Sequence, residues 1–237
     1  MTMKHTLSYF GFMGRAEPIR LAFVQAGMPF TNKAISFPEF AEMKESLPSG
    51  QLPLLEIEDV TTGEKKVMDQ SNAITRYVGK LGGLYPTDPV AAMEVDIVID
   101  TVEEASKFIV YTLAGPKGIF FTDETHSAEE KIAIRTKIMD PTIKDPKNAA
   151  FFLNVLEKRL AANGSGWFVG DSLTIADLRA HQLVGWLTSG LLDGIPADCM
   201  DSYPLLKAVH DKIEALPAIA AFRAKYGKKY DTFEYQP

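Results

Sequence analysis

Near residue 84 the hydrophobic periodicity of the chain changes, and no other feature constrains the fold as much. Before that point short apolar runs alternate with stretches of helical spacing, whereas after it strand signals almost vanish. The stretch "LYPTDP", residues 84 to 89, sets two prolines in six positions at the change and reads as a linker. A mixed domain over 1–83 and an all-helical domain over 90–237 are expected, and 237 residues suffice for both.

Within the first part, residues 4 to 10 and 30 to 36 read as strands, and Ile19, Ala22, Phe23 and Ala26 fall at helical spacing between them. Pro18 suits the first turn of that helix and Gly27 its end. "PLLEIEDVTTGEKKVM" then supplies two strands around a turn carrying Thr61, Thr62 and Gly63. A second helix follows, with Ala73, Ile74, Tyr77, Val78 and Leu81 on one face and Gly82 and Gly83 as its stop. The expected order is βαβ followed by ββα. Beyond the linker, Val95, Val98, Ile99, Val102 and Phe108 make one helical stripe, and Ala149, Phe152, Leu153, Leu156 and Leu160 another.

Charge and cysteine content remove several classes of function. The formal charge is −6, with no concentrated run of Lys and Arg, which argues against a nucleic-acid partner. No apolar run approaches the roughly 18 to 20 residues of a membrane span. "MTMKHTLSYF" reads as neither a signal nor a transit peptide, so a cytoplasmic location is expected. The single cysteine, Cys199, is incompatible with an internal disulfide, a CxxC redox pair or a multi-cysteine zinc site. His5, His126, His181 and His210 show no ligand spacing, and neither a Gly-rich phosphate loop nor a GxSxG elbow is present.

Four local patterns carry possible chemistry, each with a plain structural alternative. Tyr9 ends the first strand beside a glycine-punctuated turn, where a half-buried strand tyrosine would also sit. Pro53 precedes a strand: a cis bond after Leu52 would leave the Leu52 backbone free to pair with an extended ligand, and a trans bond would simply start the strand. Asp69, Gln70 and Ser71 stand directly before a helix, where free N–H groups favour a carboxylate or phosphate, or where Ser71 or Asp69 would act as N-cap. Asp96, Asp100 and Glu103 share one helix face, which reads as a solvated face or, alternatively, a divalent-metal site; no metal is assigned. "SLTIADL" gives Thr174 and Asp177 a capping-box spacing and reads as structural.

Taken in order, Tyr9, Arg15-Ala16-Glu17, Gln51-Leu52-Pro53, Gln70-Ser71, the proline-bearing linker and Thr174-Ile175-Ala176-Asp177 resemble the cytosolic glutathione transferases nearly end to end. "SYFGFMGRAEPIRLAF" and "GWFVGDSLTIADL" look most like the sigma class, which includes glutathione-dependent prostaglandin D synthases and the lens S-crystallins. The resemblance implies a thioredoxin-like N-terminal domain, a helical C-terminal domain and a homodimer with active sites near the subunit interface. It implies a transferase that joins the glutathione thiolate to small hydrophobic electrophiles, with glutathione as co-substrate and no permanently bound cofactor.

Residue by residue, the resemblance gives Tyr9 a hydrogen bond to the glutathione sulfur and Arg15 a supporting role at the turn. Leu52 would pair with the cysteinyl part, with Pro53 cis. Gln70 and Ser71 would hold the γ-glutamyl carboxylate, while Lys44 and Gln51 face the glycyl end. Phe40 stands where sigma enzymes often have tryptophan, and it lacks the indole N–H donor. Glu104 stands where the partner subunit often supplies aspartate. Phe10, Met13, Phe108 and Tyr111 are candidate walls of the second-substrate pocket, although stripes of this kind are equally ordinary core. Tyr111 takes the place of a tryptophan found in prostaglandin-synthase members, and the stretch from Gly115 to Phe152 is longer than in most sigma relatives. The alternatives are a glutathione-dependent isomerase of a lipid endoperoxide and a non-catalytic protein of the S-crystallin sort. A Cys-type thiol transferase would need a cysteine near the first helix, and Cys199 is far from it.

Overall fold

A computed structural model describes residues 3–114, 127–196 and 198–237. They form two units, Met1–Thr87 together with Ile213–Pro237, and Asp88–Lys212.

In the first unit, β1 (Met3–Tyr9) leads through a short 3-10 turn, Gly14–Ala16, into α1 (Glu17–Gln25), and β2 (Phe30–Ala34) returns parallel to β1. Pro18 occupies the first turn of α1, where a missing N–H costs nothing. Gly27, with φ of +60°, turns the chain beyond its end. Every residue of α1 from Glu17 to Val24 is buried. Ile19, Leu21 and Phe23 each contribute about 1.5–3 kcal/mol of burial, which must offset the desolvation of Glu17 and Arg20 in the same run. After α2 (Phe37–Met43), β3 (Leu54–Asp59) and β4 (Lys65–Met68) make the expected hairpin, and Asp59 Oδ1 accepts the N–H groups of Thr61 and Thr62 in its turn. α3 (Ser71–Leu81) follows and packs on α1.

The α3 face is rotated from the expected one. Ser71, Ile74, Thr75, Val78 and Gly79 are buried, while Ala73 and Leu81 are exposed. Thr75 can be buried because its hydroxyl donates to the Ser71 carbonyl at 2.7 Å, so a polar residue replaces an apolar one on the packed face.

The sheet order is β4-β3-β1-β2-β5, in which β5 (Phe233–Tyr235) comes from the far end of the chain and pairs antiparallel with β2. This departs from the expected all-helical region over 90–237: residues 213–237 pack with the first unit and include a strand. Phe233 and Tyr235 pack around Phe30, and that apolar contact draws the terminal strand onto the β2 edge.

The second unit holds α4 (Pro89–Ala114), α5 (Ala128–Ile138), α6 (Ala149–Asn163) and α7 (Ile175–Leu187), and α8 (Pro204–Glu214) carries the chain back toward the first. α4 packs on α5, α6 and α7 through Val95, Val98, Ile99, Val102, Ala105 and Ile109, all essentially without exposed surface. Asp177 ties the segment before α7 to the helix, accepting from the Thr174 N–H at 2.7 Å, the Thr174 hydroxyl at 2.9 Å and the Phe168 N–H at 2.9 Å. No helix among the described residues is long and apolar enough to cross a membrane.

Candidate active site

The sheet register brings the candidate glutathione residues, all but Glu104, to one end of the first unit. Tyr9, the last residue of β1, pairs with Ala34, the last of β2. Ser8 pairs with Leu54, the first residue of β3, and Leu55 pairs with Met68, the last of β4. The segments carrying Tyr9 to Arg15, Phe40 and Lys44, Gln51 to Pro53, and Gln70 and Ser71 therefore all leave or enter the sheet at the carboxyl end of its parallel pair. That end is where open α/β sheets bind ligands.

Tyr9 is 4% exposed, and its hydroxyl oxygen accepts the Arg15 backbone N–H at 3.1 Å. An oxygen that accepts a hydrogen bond becomes a better donor of its own hydrogen. The Arg15 backbone N–H thus helps to hold the turn. The turn is possible because Gly14, at φ of +44°, has no Cβ; one built there would lie 2.5 Å from the Tyr9 hydroxyl oxygen.

The guanidinium that organises this turn belongs to Arg20, a residue outside the sequence-predicted site. Arg20 is 0% exposed and donates to the Phe12 and Met13 carbonyls at 3.1 Å each, to the Phe10 carbonyl at 3.4 Å and to Asn32 Oδ1 at 2.8 Å. Glu17 balances its charge at 3.4 Å. An arginine set between Ile19 and Leu21 on an apolar helix was the available signal, since such a residue is almost never buried without partners.

The Leu52–Pro53 bond is cis, and both residues are buried. Gln51 is exposed, and the Lys44 ammonium lies 5.9 Å from the Phe40 ring centroid. At α3, neither Asp69 nor Ser71 is the N-cap. Gln70 is, at φ of +68°, the sole non-glycine residue with positive φ among those described, and its side chain makes no cap hydrogen bond. A backbone held in that region costs about 1–3 kcal/mol and tends to persist where function requires it. The first N–H groups of α3 have no carbonyl within their own helix to pair with, and Ser71 is buried beside them.

Of the remaining candidates, Phe10 is buried and Met13 half-buried in the first unit, and Phe10 stacks on Phe12 and Phe37. Phe108 stacks on Phe152 in the second unit, and the Tyr111 side chain lies outside the described residues. Glu104 pairs with Lys107 at 2.6 Å on α4. The acidic face of α4 is not simply solvated: Glu103 binds Arg179 of α7 at 2.9 Å, and Arg179 also donates to Gln182. His181 stacks on His210 with ring centroids 4.6 Å apart, a pairing that linear spacing does not carry. Burial, with Asp198 beside it, pushes the Cys199 thiol up to about 11, so it stays protonated at neutral pH.

Comparison with known proteins adds an independent line. Residues 5–80 match the family model described as "Glutathione S-transferase, N-terminal domain", and residues 120–226 match "Glutathione S-transferase, C-terminal domain". The chain is 30% identical to the hematopoietic prostaglandin D synthase of Gallus gallus over 225 residues, covering 94% of this chain and 97% of that one. It is 29% identical to the S-crystallin SL11 of Nototodarus sloanii over 223 residues, covering 93% and 96%. The crystal structure of the glutathione S-transferase from Ascaris lumbricoides matches with a TM-score of 0.68 and 31% identity, covering 94% of this chain and 97% of that one. Such relatives are consistent with a sigma-class-like member. With both family domains matched in order along a chain whose first-unit candidates lie at one sheet end, the protein belongs to the glutathione S-transferase family of enzymes.

Proposed function

We propose that the chain conjugates glutathione to small hydrophobic electrophiles, with Tyr9 donating a hydrogen bond to the glutathione sulfur. The observation that carries this reading is the Arg15 N–H donated to the Tyr9 oxygen, which orients the hydroxyl and strengthens it as a donor. A free thiol with a pKa of about 8.5 is mostly protonated at neutral pH, and only the thiolate is the nucleophile. A donor aimed at the sulfur favours the charged form. The thiol proton passes to water, the sulfur forms a bond to an electrophilic carbon of the acceptor, and the leaving group departs with the bonding pair.

Binding is assigned to the surrounding segments. The Leu52 backbone pairs with the cysteinyl part, Gln70, Ser71 and the first N–H groups of α3 hold the γ-glutamyl carboxylate, and Lys44 and Gln51 face the glycyl end. Phe40 contributes only an apolar wall there. Phe10 and Met13 are assigned to the acceptor side of the first unit, and Glu104 of the partner subunit to the γ-glutamyl amine. This reading includes a cytoplasmic homodimer, as is usual for the family.

The test is conjugation of glutathione to a chlorinated dinitrobenzene by wild type and Tyr9→Phe, with glutathione binding measured by calorimetry. Turnover is expected to fall about 100-fold while affinity changes less than twofold, the pattern for an interaction made at the reacting atom. Equal turnover would remove Tyr9 from the chemistry. The likeness to a prostaglandin D synthase supports a second reading, isomerisation of a lipid endoperoxide with glutathione regenerated. Product analysis separates them, since only conjugation consumes glutathione. Binding with no turnover of any acceptor would favour an S-crystallin-like role.

A further inference from the structure

The turn after Tyr9 is held from behind by the far end of the chain. The Tyr230 N–H donates to the Gly11 carbonyl at 3.0 Å, and Lys229 forms an isolated antiparallel bridge with Phe12. A Cβ on Gly11 would lie 2.9 Å from the Tyr230 carbonyl oxygen, so the tail and the turn meet backbone to backbone. The Tyr230 ring lies under the Arg20 guanidinium at 4.2 Å, and its hydroxyl donates to Glu17 Oε1 at 3.0 Å. Arg223 of α9 (Pro217–Tyr226) donates to the Tyr230 hydroxyl and pairs with Glu17 at 2.6 Å and Glu214 at 3.0 Å. Asn32, which accepts from Arg20, donates in turn to the Asp231 carbonyl at 2.9 Å.

Two guanidinium groups and two carboxylates therefore balance around one buried tyrosine. The two arginines act on different sides of it: Arg223 anchors Glu17 and Tyr230, while Arg20 grips the carbonyls of Phe10, Phe12 and Met13. Burial together with the neighbouring Glu17 carboxylate raises the Tyr230 phenol well above its ordinary range, so it stays a neutral donor.

We propose that Tyr230, seated between Arg20 and Glu17, is a positioning residue for catalysis: the terminal segment fixes the Gly11–Arg15 turn and thereby the Tyr9 hydroxyl. The inference rests on the reading of Tyr9 given above. It makes the last residues of the chain part of the device that sets how well Tyr9 meets a sulfur, although none of them touches the substrate. Loosening the tail would leave the glutathione-binding segments at β3 and α3 in place and displace only the donor.

The experiment compares full-length wild type, Tyr9→Phe, Tyr230→Phe and Gly11→Ala. Tyr230→Phe removes the bond to Glu17 and keeps the ring, while Gly11→Ala pushes the turn off the tail from the opposite side. For each, the thiolate absorbance of bound glutathione is titrated against pH, and kcat, glutathione Kd and Tm are measured. Both network variants are expected to raise the bound thiol pKa by about half a unit and lower kcat roughly threefold at pH below it, with Kd within twofold. A lowered Tm with an unshifted thiol titration in both folded variants would overturn the proposal, reducing the network to stability alone. A Tyr9→Phe titration identical to wild type would instead refute the role of Tyr9 and take this inference with it.

Discussion

A Cβ on Gly14 would stand 2.5 Å from the Tyr9 hydroxyl oxygen and 2.7 Å from its ring, so this position combines a left-handed backbone with a side-chain void. Gly14→Ala should displace the hydroxyl without touching the residues assigned to binding. Misplacing a reacting group by about 1 Å costs on the order of 100-fold, so kcat is expected to fall about 10- to 100-fold with glutathione Kd nearly constant. Steady-state kinetics alongside calorimetric titration check this, and an unchanged kcat would show that the turn tolerates the methyl group. Tyr9 itself was legible as a candidate because it closes a strand beside glycines. The grip of Arg20 on that turn was not, because Tyr9 and Arg20 are eleven positions apart and their association depends on where the turn folds back over α1.

At the scale of elements, the start of α3 and the start of α7 solve the same problem differently. At α7, Asp177 reads from sequence as a cap residue and serves as one, but it is fully buried and its carboxyl is pushed up to about 6, burial outweighing the N–H groups that favour the anion. A raised carboxyl pKa means the folded state holds the proton more tightly than the unfolded chain. Its contribution is therefore present at low pH and lost as pH rises from about 4 to about 6. Urea unfolding of wild type and Asp177→Asn across that window should show wild type losing stability relative to the variant as pH rises; parallel curves would contradict the shift. At α3 the cap is Gln70 at positive φ, although Asp69 and Ser71 beside it are the better N-cap formers. Gln70→Gly should relieve about 1 kcal/mol of backbone strain and weaken glutathione binding about tenfold. Denaturant unfolding and calorimetry read the two effects separately, and unchanged affinity would remove Gln70 from the site.

For the whole molecule, the assignment of Glu104 to a partner subunit requires two copies of the chain. Sedimentation should give the mass of a dimer, and Glu104→Ala should raise the glutathione KM about tenfold with kcat unchanged, as loss of a charge-assisted hydrogen bond of about 1.5 kcal/mol would. A monomer with full activity would contradict both. The sequence by itself determined the change from mixed to helical structure and the βαβ and ββα units, between which the structure adds α2, because periodicity, prolines and caps act over a few neighbouring residues. Only the tertiary structure decided that Phe233–Tyr235 would leave the helical region and complete the sheet on β2. It also decided that Arg20, Glu17, Arg223 and Tyr230 would meet behind the turn. Burial of charge is stable only when partners converge from distant segments, and that convergence has no signature in local spacing.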